Sequence, residues 1–105
     1  MPSIEPKLLE QRSEEAAALL KLMSNQRRLL ILCYLHETPM SVSALQAMLP
    51  LSQSALSQHL ASLRQANVVA TNRKGTEVHY RLVDKRVVAL LATLQEEVCQ
   101  PEDFN

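Results

Sequence analysis

The stretch Ser52-Gln53-Ser54-Ala55-Leu56-Ser57-Gln58-His59-Leu60-Ala61-Ser62-Leu63-Arg64 decides the fold of this chain. At about 100° per residue, Leu56, Leu60 and Leu63 gather on one side of a helix. Ser54, Gln58, Ala61 and Gln65 gather on the other, with Ser57 at the edge. The outer face carries amides, hydroxyls and one methyl, but no acid. A helix that meets only water ordinarily mixes Glu and Lys there. Short polar side chains suit close approach to a surface rich in donors and acceptors, such as the floor of a DNA major groove. Taken alone, the helix fits a merely polar surface equally well.

Its surroundings tip the balance. Ser52 stands where an N-cap belongs, with a hydroxyl able to accept from a first-turn amide. Before it, Val42-Ser43-Ala44-Leu45-Gln46-Ala47-Met48-Leu49 forms a short apolar-periodic segment, and Pro50-Leu51 breaks the chain. Two short helices, 42–49 and 52–66, joined by a tight break make a helix-turn-helix. Asn67 follows, a residue suited to the left-handed position that ends a helix. Val68-Val69-Ala70-Thr71, the tip Asn72-Arg73-Lys74-Gly75, and the alternating run Thr76-Glu77-Val78-His79-Tyr80-Arg81-Leu82 read as a hairpin over 68–82. The single glycine of the chain sits at its tip, where a positive φ is needed. A reading helix followed by a basic hairpin is a winged helix-turn-helix. The fold class is therefore mainly α, in the order helix, helix, helix-turn-helix, two-stranded wing, helix.

Two helices precede the reader and one follows it. The first covers about residues 7–23, with Leu9, Ala16, Leu20 and Met23 as a stripe. The second covers 25–37, capped by Asn25 and stopping ahead of Pro39. The last covers 84–98, with Val87, Leu90, Leu91, Leu94 and Val98 as its stripe. All 105 residues form one small domain, with loose tails at 1–5 and 100–105. The terminal helices hold more apolar surface than one small core uses. Either both pack inside a monomer, or they build a dimer; the dimer is the preferred reading, because a helix-turn-helix usually works in pairs on a two-fold, palindromic site.

Composition narrows the function. The net charge is zero, but its distribution is uneven. Residues 24–83 carry Arg27, Arg28, Arg64, Arg73, Lys74 and Arg81 against Glu37 and Glu77, for +4, while the flanks carry −1 and −3. Phosphate contacts need local positive charge. Three aromatics cannot build a stacking platform for single strands, so the expected partner is double-stranded DNA. No run of 18 apolar residues is present and no secretory signal opens the chain, so a cytoplasmic protein without membrane contact is expected. No Gly-rich phosphate loop, carboxylate pair or triad suggests an enzyme or a cofactor.

The order of elements, with Ser-Asn-Gln-Arg-Arg-Leu-Leu-Ile-Leu at 24–32 and Leu-Ser-Gln-Ser-Ala-Leu-Ser-Gln-His-Leu at 51–60, resembles the ArsR/SmtB repressors. The resemblance covers roughly residues 16–99. It implies a dimeric transcription regulator in which Gln53, Ser54, Ser57 and Gln58 face the bases. It further implies that Arg73 and Lys74 of the wing meet the backbone or the minor groove. His59 and Arg64 join them as candidate DNA contacts. Many members sense metals through Cys or His/Asp clusters. The segment Ser41 to Leu49 lacks the Cys-x-Cys of thiophilic-metal sensors. Asp84 is followed two residues on by Arg86 where zinc sensors place His. His36, His59 and His79 are scattered, so no metal site is expected.

Two cysteines remain, Cys33 inside the second helix and Cys99 just past the last one. From the residues alone, the simpler reading is a pair of small buried hydrophobes. The Leu-Cys-Tyr-Leu context with a second Cys at the end of the last helix resembles the BigR/YgaV/HlyU branch of the family. That resemblance implies that paired thiols answer to reactive sulfur species or oxidants and so control operator binding. Two alternatives stand beside it. One is a DNA-binding repressor or anti-silencer with inert cysteines. The other is a metal-binding or redox protein with no DNA role.

Overall fold

A computed structural model describes residues 5–98. The elements run α1 (Pro6–Met23), α2 (Gln26–Glu37), β1 (Met40–Ser41), α3 (Val42–Met48), α4 (Gln53–Gln65), β2 (Val69–Lys74), β3 (Glu77–Leu82) and α5 (Lys85–Val98). This is a winged helix-turn-helix with the expected helix order. Cys99 and nearly all of both expected loose tails lie outside the described residues.

Local chemistry sets the boundaries. The Ser52 hydroxyl accepts from the Ala55 amide at 3.2 Å and caps α4. At the other end Asn67 adopts φ 60°. Its amide donates to the Arg64 carbonyl and that of Val68 to the Leu63 carbonyl, each at 3.0 Å. This crossed pair is a Schellman motif, closed by the buried Leu63 and Val68 side chains. The Asn25 carboxamide oxygen caps α2, accepting from Arg27 and Arg28 at 3.0 and 3.1 Å. Asp84 does the same for α5 through the Arg86 amide at 2.9 Å. Such caps each contribute about 1 kcal/mol.

The sheet differs from the expected two-stranded hairpin. It has three antiparallel strands in the order β1-β3-β2. Met40 pairs with Tyr80 and Ser41 with His79. A two-residue strand has no periodicity, so nothing in the sequence marks it. Ser41 leaves β1 directly as the N-cap of α3, accepting from the Ala44 amide at 3.1 Å. The wing also turns more tightly than its sequence suggests. Lys74 pairs with Glu77, so the loop is Gly75-Thr76 alone. Gly75 has φ +64° and Thr76 does not share a positive value, the pattern of a type II′ hairpin turn. Asn72, Arg73 and Lys74 thus belong to a strand, not to the tip.

The core explains why α4 is held firmly. Leu56, Leu60 and Leu63 are buried against Ile31, Leu32 and Leu35 of α2, with Leu45, Val68, Val69, Val87 and Leu91 around them. Burying each such side chain stabilises by roughly 1.5–3 kcal/mol. By contrast, α1 buries only Met23 along its 18 residues.

Candidate nucleic-acid interface

The apolar stripe of α4 fixes which side chains it turns outward. Gln53, Ser54, Ser57, Gln58, Ala61, Arg64 and Gln65 are all exposed. They form one surface from the first turn to the last, with hydroxyl and amide groups toward the N-terminal end and Arg64 toward the other. The Ser54 hydroxyl lies 3.3 Å from that of the cap Ser52. No acidic residue occurs between Ser52 and Thr76.

His59 stands apart from these residues. It is partly buried on the flank of α4. Burial, with a smaller contribution from the charge of Arg28, pushes its imidazole below the ordinary value. Arg28 reaches across from α2 and donates from Nη1 to the Leu22 carbonyl at 3.0 Å, closing the end of α1. His59 is thus partly withdrawn from water on the flank of α4, within electrostatic reach of Arg28, beside the outward face.

The wing has two chemically different faces. Residues directly opposite in an antiparallel pair share a face. Arg73 is opposite Val78, Thr71 opposite Tyr80, and Val69 opposite Leu82. That face runs from the buried Val69 outward to Arg73 and looks toward α4. Lys74 is opposite Glu77 and Asn72 opposite His79. On this second face the Glu77 carboxylate lies 3.1 Å from His79 Nε2. Arg73 and Lys74, alike in the sequence, therefore have unlike surroundings. Among the described residues, ion pairs occupy Arg12, His79 and Arg86, and none engages Arg64, Arg73 or Lys74.

Asp84 is fully engaged. Besides capping α5, its carboxylate accepts from Arg86 Nη2 at 2.7 Å and Nε at 3.1 Å. These hydrogen bonds hold its carboxyl below the ordinary carboxylate value. Among the described residues no three His, Cys, Asp or Glu side chains gather as a metal site.

Cys33 is half-buried on α2 and packs against the core. One turn before it, Leu29 lines an apolar groove of about 360 Å³ with Leu20, Met23, Leu90, Thr93 and Leu94. The terminal helices expose Leu9 (50 %), Leu20 (54 %), Leu94 (41 %) and Val98 (68 %), of which Leu20 and Leu94 line that groove. A second groove, of about 480 Å³, lies between α4 and β3. Tyr80 faces into it, a residue that the strand alternation puts on the inner side without giving it a role. The Arg28–His59 neighbourhood was likewise out of reach of periodicity, since the two residues are far apart in sequence.

Known proteins resemble this chain along most of its length. The family described as bacterial regulatory protein, arsR family, matches residues 25–71. The transcriptional activator HlyU of Vibrio cholerae is 46 % identical over 92 residues, covering 88 % of this chain and 85 % of that protein. The biofilm growth-associated repressor of Agrobacterium fabrum is 37 % identical over 95 residues, covering 90 % and 81 %. The solved structure of reduced HlyU from Vibrio cholerae superposes with a TM-score of 0.85 at 45 % identity, covering 90 % of this chain and 99 % of that one.

Proposed function

The chain belongs to the arsR family of bacterial regulatory proteins, DNA-binding transcriptional regulators, and from that premise we propose that it acts as a homodimer whose operator affinity is switched by thiol chemistry at Cys33 and Cys99. The observation that carries the DNA half is the acid-free, outward face of α4, flanked by Arg64 and Arg73, which no ion pair engages among the described residues. Gln53, Ser54, Ser57 and Gln58 read base edges in the major groove. Arg64, Arg73 and Lys74 hold phosphates and set the register. The protein works in the cytoplasm, where its operator lies.

Dimerisation follows from the apolar surface that the single chain leaves uncovered. Leu20 of α1 and Leu94 of α5 line one groove, Leu9 and Val98 are exposed on the same two helices, and a two-fold partner would cover them. Two reading helices about 34–36 Å apart then meet successive turns of a palindrome.

The switch is supported by sequence position and by one relative. Cys33 lies one turn beyond Leu29, which shares the groove with Leu90 and Leu94 of α5. Cys99 directly follows Val98, the last residue of α5. HlyU has been solved in a form specified as reduced. One thiolate attacks the outer sulfur of a persulfide, RS–SH, forming a cysteine persulfide and releasing the thiol RSH. The second thiolate then attacks the cysteine's own sulfur, forming the disulfide and expelling HS⁻. The donor is reduced and the dithiol oxidised. A polysulfide donor leaves extra sulfur atoms in the bridge. Either link ties α2 to the end of α5 and shifts the reading helices.

A titration of the reduced protein with a duplex from its own promoter and with a scrambled duplex tests the DNA half. Tighter binding to the promoter, falling steeply with salt, is expected. Equal affinity for both duplexes would remove the assigned base readout.

A further inference from the structure

We propose that Tyr80 is a DNA-positioning residue: the groove between α4 and β3 seats a backbone phosphate of the bound duplex, and the Tyr80 hydroxyl donates a hydrogen bond to it. The inference rests on the DNA-binding reading and adds a residue to it. The groove, about 480 Å³, is lined by Val42, Ser57, Leu60, Ala61, Arg64 and Tyr80 among others, and no acidic side chain contributes to it. Ser57 and Arg64 belong to the outward surface of α4, so the groove borders the proposed reading face directly. A strand flanking the major groove would pass between α4 and the wing at this place.

Three features suit Tyr80 to the role. Its hydroxyl makes no hydrogen bond among the described residues, yet it is not sealed inside the core. Its backbone is fixed on both sides, because β3 is the central strand and Tyr80 pairs with Met40 and with Thr71. Its ring packs against the core. A phenol held in this way presents its donor at a set place with little ordering cost on binding. Arg64 adds positive charge on the opposite wall, and Arg73 shares the face of β2–β3 to which Tyr80 belongs. The apolar floor of Val42, Leu60 and Ala61 accepts the sugar edge. A phosphate contact carries no base information, so the effect must be uniform across sequences.

Tyr80→Phe in the full chain tests this, since it deletes the hydroxyl and keeps the ring. Affinity should fall by roughly tenfold on the promoter duplex and by the same factor on a scrambled duplex, as expected for a lost hydrogen bond to a charged group. Ethylation interference should show one phosphate per half-site whose modification weakens the native protein and no longer weakens the variant. A thermal melt matching the native protein keeps a folding defect from producing the same result. Unchanged affinity, or a loss confined to the promoter duplex, would overturn the assignment. A native protein that binds neither duplex would overturn the DNA-binding reading beneath it.

Discussion

Arg73 and Lys74 are neighbours in the chain but stand on opposite faces of the wing, Arg73 across from Val78 and Lys74 across from Glu77. The Glu77 carboxylate on the face of Lys74 lowers the local positive potential that a phosphate would meet there, whereas the residues opposite and beside Arg73 on its face are apolar or neutral. Arg73 is therefore the stronger phosphate contact. Arg73→Ala should weaken binding on every duplex and flatten the dependence of log affinity on log salt by about 0.9 per lost contact. Lys74→Ala should do less of both. Fluorescence anisotropy across a salt series checks it; a larger effect for Lys74→Ala would reverse the assignment of faces.

Gln58 is exposed in the middle of the outward surface of α4 and offers both a donor and an acceptor to a base edge. Gln58→Ala should cost roughly 1–3 kcal/mol on the operator and relax preference at one position per half-site, with little change on random DNA. Equal losses on both would move Gln58 into the phosphate-contacting group.

These two expectations differ in how far the sequence alone supports them. The outward surface of α4 is legible from the spacing of Leu56, Leu60 and Leu63, because a helix repeats locally and its caps, Ser52 and Asn67, are local too. The wing's existence is legible from Gly75 and the alternation that follows it. The separation of Arg73 from Lys74 is not, because it depends on a turn two residues long and on which residue of β3 faces each. The strand Met40–Ser41 escapes because it exists only through its pairing with Tyr80 and His79. By spacing alone His59 flanks the reading face; that it is partly buried and feels the charge of Arg28 of α2 depends on how the helices pack. The ArsR/SmtB resemblance of residues 24–32 and 51–60 agrees with the family found. The roles of Cys33 and Cys99 came from that resemblance alone.

The groove around Leu20 and Leu94 gives a prediction about assembly. Leu94→Arg places a charge where a partner's apolar surface would cover it, which is costly without an opposing charge. Light scattering should show a monomer, and operator binding should weaken sharply. A variant that remains dimeric would put the interface on another surface.

His59 gives a prediction about pH. Burial and Arg28 lower its pKa below the usual 6.5, so the unfolded chain binds that proton more readily than the folded one. The contribution of His59 to stability is complete above about pH 6.5 and declines as the pH falls from there toward the lowered folded value. His59→Gln should reduce the loss of stability between about pH 7.5 and 5.5, measured as urea midpoints. The same loss in both proteins would show that His59 is not held neutral by its surroundings.

The thiol switch is tested most directly by operator affinity before and after a persulfide donor, measured on the native protein, Cys33→Ser, Cys99→Ser and the double variant, with intact mass recorded at each point. The native protein should release the operator as its mass reports an intramolecular link between the two cysteines, and reductant should restore binding. All three variants should bind as the untreated native protein does and ignore the donor. Donor-induced release from the double variant, or a linked native protein that still holds its operator, would contradict the switch.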